Sequence, residues 1–294
     1  MENNVVISVV TYKRIGKWFK LMKNLRKVRS NCPSSLNLNF LFVEDTKSYN
    51  IVKFIKNIIS IIYLGLNFRY EWGSDNLGES RDAAINLMPT NTHWFGFIDD
   101  DDYYREDVLQ VLEPYLTNMG SMRPDIVNFG MSGNFYINPN NGVYKGYPER
   151  KNRLRKWDDK NQFGCIPSMA SFISYQVWMN SMYKFGYNPP TEETSVLMAL
   201  TYNAKFVAHV GIELMFRNRA KNSLVSDMSK YPFEFMRDNI LRHTSNFVTY
   251  CSEPSGRKLM YEIFRYNDGS YLKSHGMDAK DVDDIFAYAD RYFK

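Results

Sequence analysis

The sequence predicts an α/β protein built on a mostly parallel, doubly wound sheet flanked by helices, with a smaller mixed lobe and a helical C-terminal tail. Two observations predict it. Short β-branched or aromatic runs alternate with stretches of helical apolar spacing through the N-terminal third, and such alternation calls for crossover connections between parallel strands. The apolar run Phe95 to Ile98 then stops abruptly at Asp99, Asp100, Asp101 and Asp102, as expected where a buried strand delivers its carboxyl end to a ligand site.

Taken in order, Ile7 to Val10 is the first strand, ending at Thr11, and Gly16 to Arg29 follows as a basic amphipathic helix with Trp18, Leu21, Met22 and Leu25 on one face. Leu38 to Val43 repeats the strand pattern and ends in Glu44 and Asp45; Ile51 to Ile62 carries apolar residues at helical intervals. Phe68 to Trp72 is a third strand, Ser80 to Met88 a helix stopped by Pro89, and Trp94 to Ile98 the strand that enters the acidic cluster. A helix from Arg105 to Tyr115 closes this half. From residue 125 the pattern turns strand-like and turn-rich, with NPNNG at 138–142 predicting a hairpin turn. Thr191 to Tyr202 reads as a helix beginning after Pro189 and Pro190, Lys205 to Val210 as a strand, and the tail from Pro232 as helical, ending in Ala279 to Tyr292. The expected division is 1–124, 125–225 and 226–294.

With 294 residues and 44% apolar content the chain can bury a core as one large domain or two unequal lobes. The most apolar stretch, IVKFIKNIISIIYLGL, is interrupted by Lys53 and Lys56 and does not read as a membrane span. The N-terminus lacks the basic region and cleavage site of a signal peptide. Cys32, Cys165 and Cys251 show no CxxC spacing and the histidines no HExxH pair, which argues against a disulfide framework, a zinc site or histidine-based catalysis. Together these features predict a cytoplasmic protein.

Four adjacent carboxylates repel one another unless a cation sits among them. At the end of a buried strand, carboxylates with open coordination positions suit Mg²⁺ or Mn²⁺ shared with the phosphates of a nucleotide. The plainer reading is a solvated acidic loop capping the next helix. The net charge of +5 favours anionic partners, and it is concentrated in YKGYPERKNRLRKW, residues 144–157. There Arg150, Lys151, Arg153, Arg155 and Lys156, with Trp157, offer phosphate neutralisation and stacking to an anionic polymer; a solvated hairpin is the bland alternative.

The order of these elements resembles the family 2 glycosyltransferases of the GT-A, Rossmann-like fold. Thr11 and Tyr12 match the pair that ends the family's first strand, and Asp45 with Ser48 its D-x-x-S element. Gly78 and Arg81 match a G-x-x-R-N-like helix start, with Asp82 where asparagine is usual. Asp99 and Asp101 match the D-x-D signature, and Glu192 and Glu193 the acidic pair that opens a later helix. The resemblance covers residues 5–225. It implies that Thr11, Asp45 and Arg81 hold the nucleoside of a nucleotide sugar, with UDP favoured, and that Asp99, Asp100 and Asp101 serve the ribose and a metal bound to the diphosphate. Glu193, with Glu192 as substitute, would be the catalytic base of an inverting displacement. A histidine often found as a further metal ligand has no counterpart in FRNRAKNSLVS, where Arg217, Arg219 and Lys221 stand instead.

The chemistry agrees with that assignment. Displacing a sugar from a nucleoside diphosphate builds negative charge that a divalent ion offsets, and a carboxylate base accepting the acceptor's proton contributes about 10²–10⁴ in rate. A surface glycan or other anionic polymer is the expected acceptor. The alternatives are a phage-type DNA glycosyltransferase acting on hydroxymethylated bases such as hydroxymethylcytosine, and a non-catalytic nucleotide or nucleic-acid binding module.

Overall fold

The computed structural model describes residues 3–12, 14–45, 50–74, 76–118, 120–131, 142–145, 170–181, 185, 196, 200, 204–216 and several positions between 278 and 287. Among the described residues, nine strands form one sheet in the order β3-β2-β1-β4-β8-β6-β9-β5, with β7 also paired to β9.

The parallel half follows the sequence pattern closely. Strand β1 (Asn3–Thr11) lies between β2 (Leu36–Glu44) and β4 (Trp94–Phe97), and β3 (Phe68–Trp72) sits on the outside; all of these pairings are parallel. Strand β1 is buried along nearly its whole length, as a central strand covered on both faces must be. Helix α1 (Ile15–Ser30) connects β1 to β2, and α2 (Asn50–Leu64) connects β2 to β3. The two pack side by side. Helix α3 (Leu77–Leu87) returns over β1 and β2 and, because parallel crossovers are right-handed, covers the opposite face.

Element ends differ from the pattern where a local bond decides them. Helix α3 starts three residues before Ser80 because the Asn76 side chain caps it, accepting from the Glu79 backbone N–H at 3.2 Å. It ends as expected before Pro89, with Met88 extended. The stretch after the aspartates is not yet helical. Tyr103 and Tyr104 form a short strand, β5, paired antiparallel with β9, and α4 begins only at Val108 and runs to Leu116.

The second half joins the same sheet. Strand β8 (Ser171–Ser174) pairs antiparallel with both β4 and β6 (Ile126–Met131), so it bridges the parallel half to the rest; a short helix, α5 (Tyr175–Met179), follows it. Strand β9 (Phe206–Phe216) runs parallel to β6, extends well beyond the expected end at Val210, and bulges where Phe129 pairs with Val210 but Gly130 with Glu213. A Cβ at Gly130 would lie 2.8 Å from the Ile212 carbonyl oxygen, so the bulge needs glycine there. Strand β7 (Gly142–Lys145) begins at the last residue of the expected turn and pairs antiparallel with β9; residues 138–141 of that turn lie outside the described residues. Of the helix expected over Thr191 to Tyr202, Val196 and Leu200 are described; both are helical and buried, one turn apart.

The core on the α1/α2 face centres on Trp18, which meets Phe42 edge-on at 4.9 Å and stacks on Tyr70 at 5.6 Å. On the opposite side Phe97, Trp178 and Phe185 form a second aromatic cluster.

Candidate functional site

The carboxyl ends of β1, β2 and β4 converge, and the sequence-predicted residues Thr11, Asp45, Arg81, Asp99, Asp100 and Asp101 all lie there. Asp100 is the most deeply engaged. Its Oδ2 accepts from Thr11 Oγ1 at 2.8 Å and from the Tyr12 backbone N–H at 3.4 Å, and its Oδ1 from Arg14 at 3.1 Å. Burial pushes the Asp100 carboxyl above the usual range, while the Thr11 bond and the Arg14 charge pull it back.

Asp101 Oδ2 lies 2.6 Å from Lys17 Nζ and 3.2 Å from the Arg14 guanidinium. The start of α1 therefore supplies cations to two of the four adjacent carboxylates, Asp100 and Asp101. Asp99, Asp101 and Asp102 each place a carboxylate oxygen within 4.8 Å of the others. This all-oxygen set fits a hard divalent ion such as Mg²⁺ or Mn²⁺.

Arg81 lies opposite the cluster. Its side chain is 2% exposed and pairs with Asp99 at 3.3 Å, while its guanidinium sits 5.8 Å from the ring centres of both Phe97 and Phe185. Asp82, the next residue of α3, accepts from the Phe185 backbone N–H at 2.9 Å. Asp45 accepts from the Ser80 hydroxyl, which ties the end of β2 to the first turn of α3.

A buried layer beneath these residues was not expected from the sequence. Lys56, on α2, is completely buried and its Nζ lies 3.0 Å from Glu44 Oε2 and 2.8 Å from Thr11 Oγ1. Glu44 is equally buried and also accepts from the Tyr70 hydroxyl at 2.7 Å. Thr11 thus receives a bond from Lys56 and gives one to Asp100, so the layer fixes the rotor that orients Asp100. Desolvation holds the Lys56 pKa below the usual lysine value against the pull of Glu44, and drives the Tyr70 hydroxyl far above its usual value. The sequence signal was the pair Lys56 and Ser60, one helical turn apart in a mostly apolar helix.

Glu192, Glu193 and the basic residues Arg150, Lys151, Arg153, Arg155, Lys156 and Trp157 lie outside the described residues.

Comparison with known proteins accords with this geometry. No curated protein matches the sequence. Among solved structures, TarS 1–349 of S. aureus in complex with UDP superimposes with a TM-score of 0.56 at 12% identity, covering 99% of this chain and 91% of that one. A longer S. aureus TarS structure matches with a TM-score of 0.54 at 12% identity, and there this chain spans 44% of the other's length. A mannosyltransferase from Pyrobaculum calidifontis, in complex with GDP-Man and Mn²⁺, matches with a TM-score of 0.55 at 9% identity over 99% of this chain and 74% of that one. At these identities the likeness shows the fold, GT-A. The model of the family Glycosyl transferase family 2 matches residues 6–176, more than half of the sequence, so the chain belongs to glycosyl transferase family 2.

Proposed function

We propose that the chain is a metal-dependent, inverting glycosyltransferase that moves a sugar from a nucleoside-diphosphate sugar, UDP-linked by preference, to a hydroxyl of a surface glycan or other anionic polymer. The observation that carries this reading is the convergence of Thr11, Arg81 and Asp99 to Asp102 at the carboxyl ends of β1 and β4. Among the structures similar in fold, S. aureus TarS is in complex with UDP and the Pyrobaculum calidifontis mannosyltransferase with GDP-Man and Mn²⁺.

In this reading residues 1–124 bind the donor, residues 125–225 receive the acceptor and supply the base, and residues 226–294 form a helical extension. Asp45 and Thr11 hold the nucleoside, and Asp99 and Asp100 the ribose side of the donor. Asp99 and Asp101, with Asp102 beside them, would hold a divalent ion, which would supply Lewis-acid stabilisation of the departing diphosphate. Arg81, packed against two aromatic rings, holds its charge toward Asp99 and keeps that carboxylate oriented. Glu193 takes the proton from the acceptor hydroxyl as it attacks the anomeric carbon, with Glu192 as its substitute, and the basic run at Arg150 to Trp157 holds the acceptor's negative charge.

The test is release of UDP from a pool of UDP-sugars with Mn²⁺, with and without acceptor. The wild type is expected to release UDP, faster when its acceptor is present. Glu193→Gln is expected to keep donor binding and lose transfer by about 10²–10⁴. Supplying an acidic polysaccharide in one arm and hydroxymethylcytosine DNA in another assigns the acceptor class. Absence of UDP release from the whole pool, with no donor binding by calorimetry, overturns the proposal.

A further inference from the structure

Helix α2 is built inside out. The stripe facing the sheet carries Lys56, Ser60 and Leu64, all buried, while the outward face carries Ile51, Phe54, Ile55, Ile58, Ile61 and Ile62. Ile51 is 71% exposed, Phe54 63% and Ile62 67%, and Leu66, just past the helix, 83%. A surface helix of a globular protein normally turns its apolar stripe to the core. Here the functional layer takes the inner face, and a contiguous apolar patch is left outside, a pattern that marks an interaction surface rather than scattered exposure.

The neighbouring surface identifies the partner's chemistry. Helix α1 packs alongside α2 and buries Trp18, Leu21, Met22, Leu25 and Val28, which turns Lys20, Lys23, Arg26 and Lys27 outward. No acidic residue occurs between Arg14 and Val43. The two helices are continuous at their seam, where the half-exposed Phe19 ring meets Tyr63 edge-on at 5.2 Å with Lys23 above it. An apolar helix face beside a row of cations matches the boundary of an anionic bilayer, where acyl chains receive the isoleucines and headgroups the lysines. A second copy of the chain fits less well, because two-fold pairing of this face sets its basic row close to itself. Nucleic acid has no use for the isoleucines.

We propose that the α1/α2 face docks the protein peripherally on an anionic lipid bilayer, with Phe54, Ile58 and Ile62 entering the acyl boundary and Lys20, Lys23 and Arg26 engaging the headgroups. No helix among the described residues is long and apolar enough to cross a membrane, so attachment through this face is interfacial. The inference rests on the surface alone and does not depend on the transfer reaction.

The experiment is co-sedimentation of the full chain with vesicles of phosphatidylcholine alone and of phosphatidylcholine mixed with phosphatidylglycerol, at low and high salt. The expected result is partition onto the mixed vesicles, weaker in high salt. Each lysine near an anionic surface contributes about fivefold, so Lys20→Glu with Lys23→Glu is expected to lower partition at least ~25-fold. Phe54→Ser with Ile62→Ser is expected to lower it at least about tenfold. All four side chains are exposed, so the variants keep the wild-type melting temperature and circular dichroism. Failure to bind mixed vesicles overturns the proposal. So does binding that both double variants leave unchanged, which assigns attachment elsewhere, or a dimer in sedimentation velocity that Ile62→Ser disperses without any vesicle binding.

Discussion

Replacing Lys56 by methionine keeps an unbranched side chain of similar length while deleting the buried charge and its bonds to Glu44 and Thr11. Both members of the Lys56–Glu44 pair are fully buried, at 3.0 Å. Removing one partner of such a pair costs about 3–5 kcal/mol, because the remaining ion keeps its desolvation penalty and loses the attraction that offset it. At about 2–4 °C per kcal/mol for a chain of this size, Lys56→Met is expected to melt roughly 6–20 °C below the wild type. Glu44→Leu added to it should restore most of that loss, since an apolar pair of similar volume is often as stable as the ion pair. Burial depresses the Lys56 pKa in the folded state, so the unfolded chain binds the proton more tightly. Stability therefore rises with pH from the depressed folded value up to the ordinary lysine value, and Lys56→Met should lose that rise. Chemical denaturation of the two single variants and the double variant, at neutral and at alkaline pH, measures both effects. A cost below about 1 kcal/mol for Lys56→Met, or strictly additive single costs, refutes the buried-pair argument.

Two further outcomes follow from the geometry. Gly130→Ala sets a methyl against the Ile212 carbonyl oxygen at 2.8 Å, and is expected to destabilise the protein by about 1–3 kcal/mol in urea unfolding. Burial, reinforced by the charge of Glu113, pushes the Cys32 thiol up from 9.0 to about 11; at pH 8 its thiolate fraction, and hence its alkylation rate by iodoacetamide, should be about a hundredfold lower in the folded protein than after unfolding, read by peptide mass spectrometry.

The parallel half was legible because its strands are covered on both faces and therefore read as unbroken apolar runs, as in Ile7 to Val10 and Phe95 to Ile98. Thr11 and the aspartates stood out as candidates because they stand at the ends of those runs, and Arg81, inside α3, only through the resemblance of its G-x-x-R helix start. Lys56 and Glu44 were not legible: a lysine interrupting an apolar helix reads as its solvent side, whereas here Lys56 faces in and most of the isoleucines face out. Lys17 was likewise read only as part of a basic helix and Arg14 was not singled out, since nothing local shows that the start of α1 reaches the carboxyl end of β4. The placement of β8 between β4 and β6 depends on pairing between distant segments, which periodicity within each segment does not record.

That placement of β8 bears on how the chain is made. Until residues 171–174 leave the ribosome, β4 has a partner on one side only, β1, and its other edge presents unpaired amides along an aromatic strand. The donor half can gather its core early, but it waits with an adhesive margin through the synthesis of everything from Ile98 to Ala170. Truncation before β8 leaves that margin permanently open, and such fragments are destined for chaperones or for aggregates.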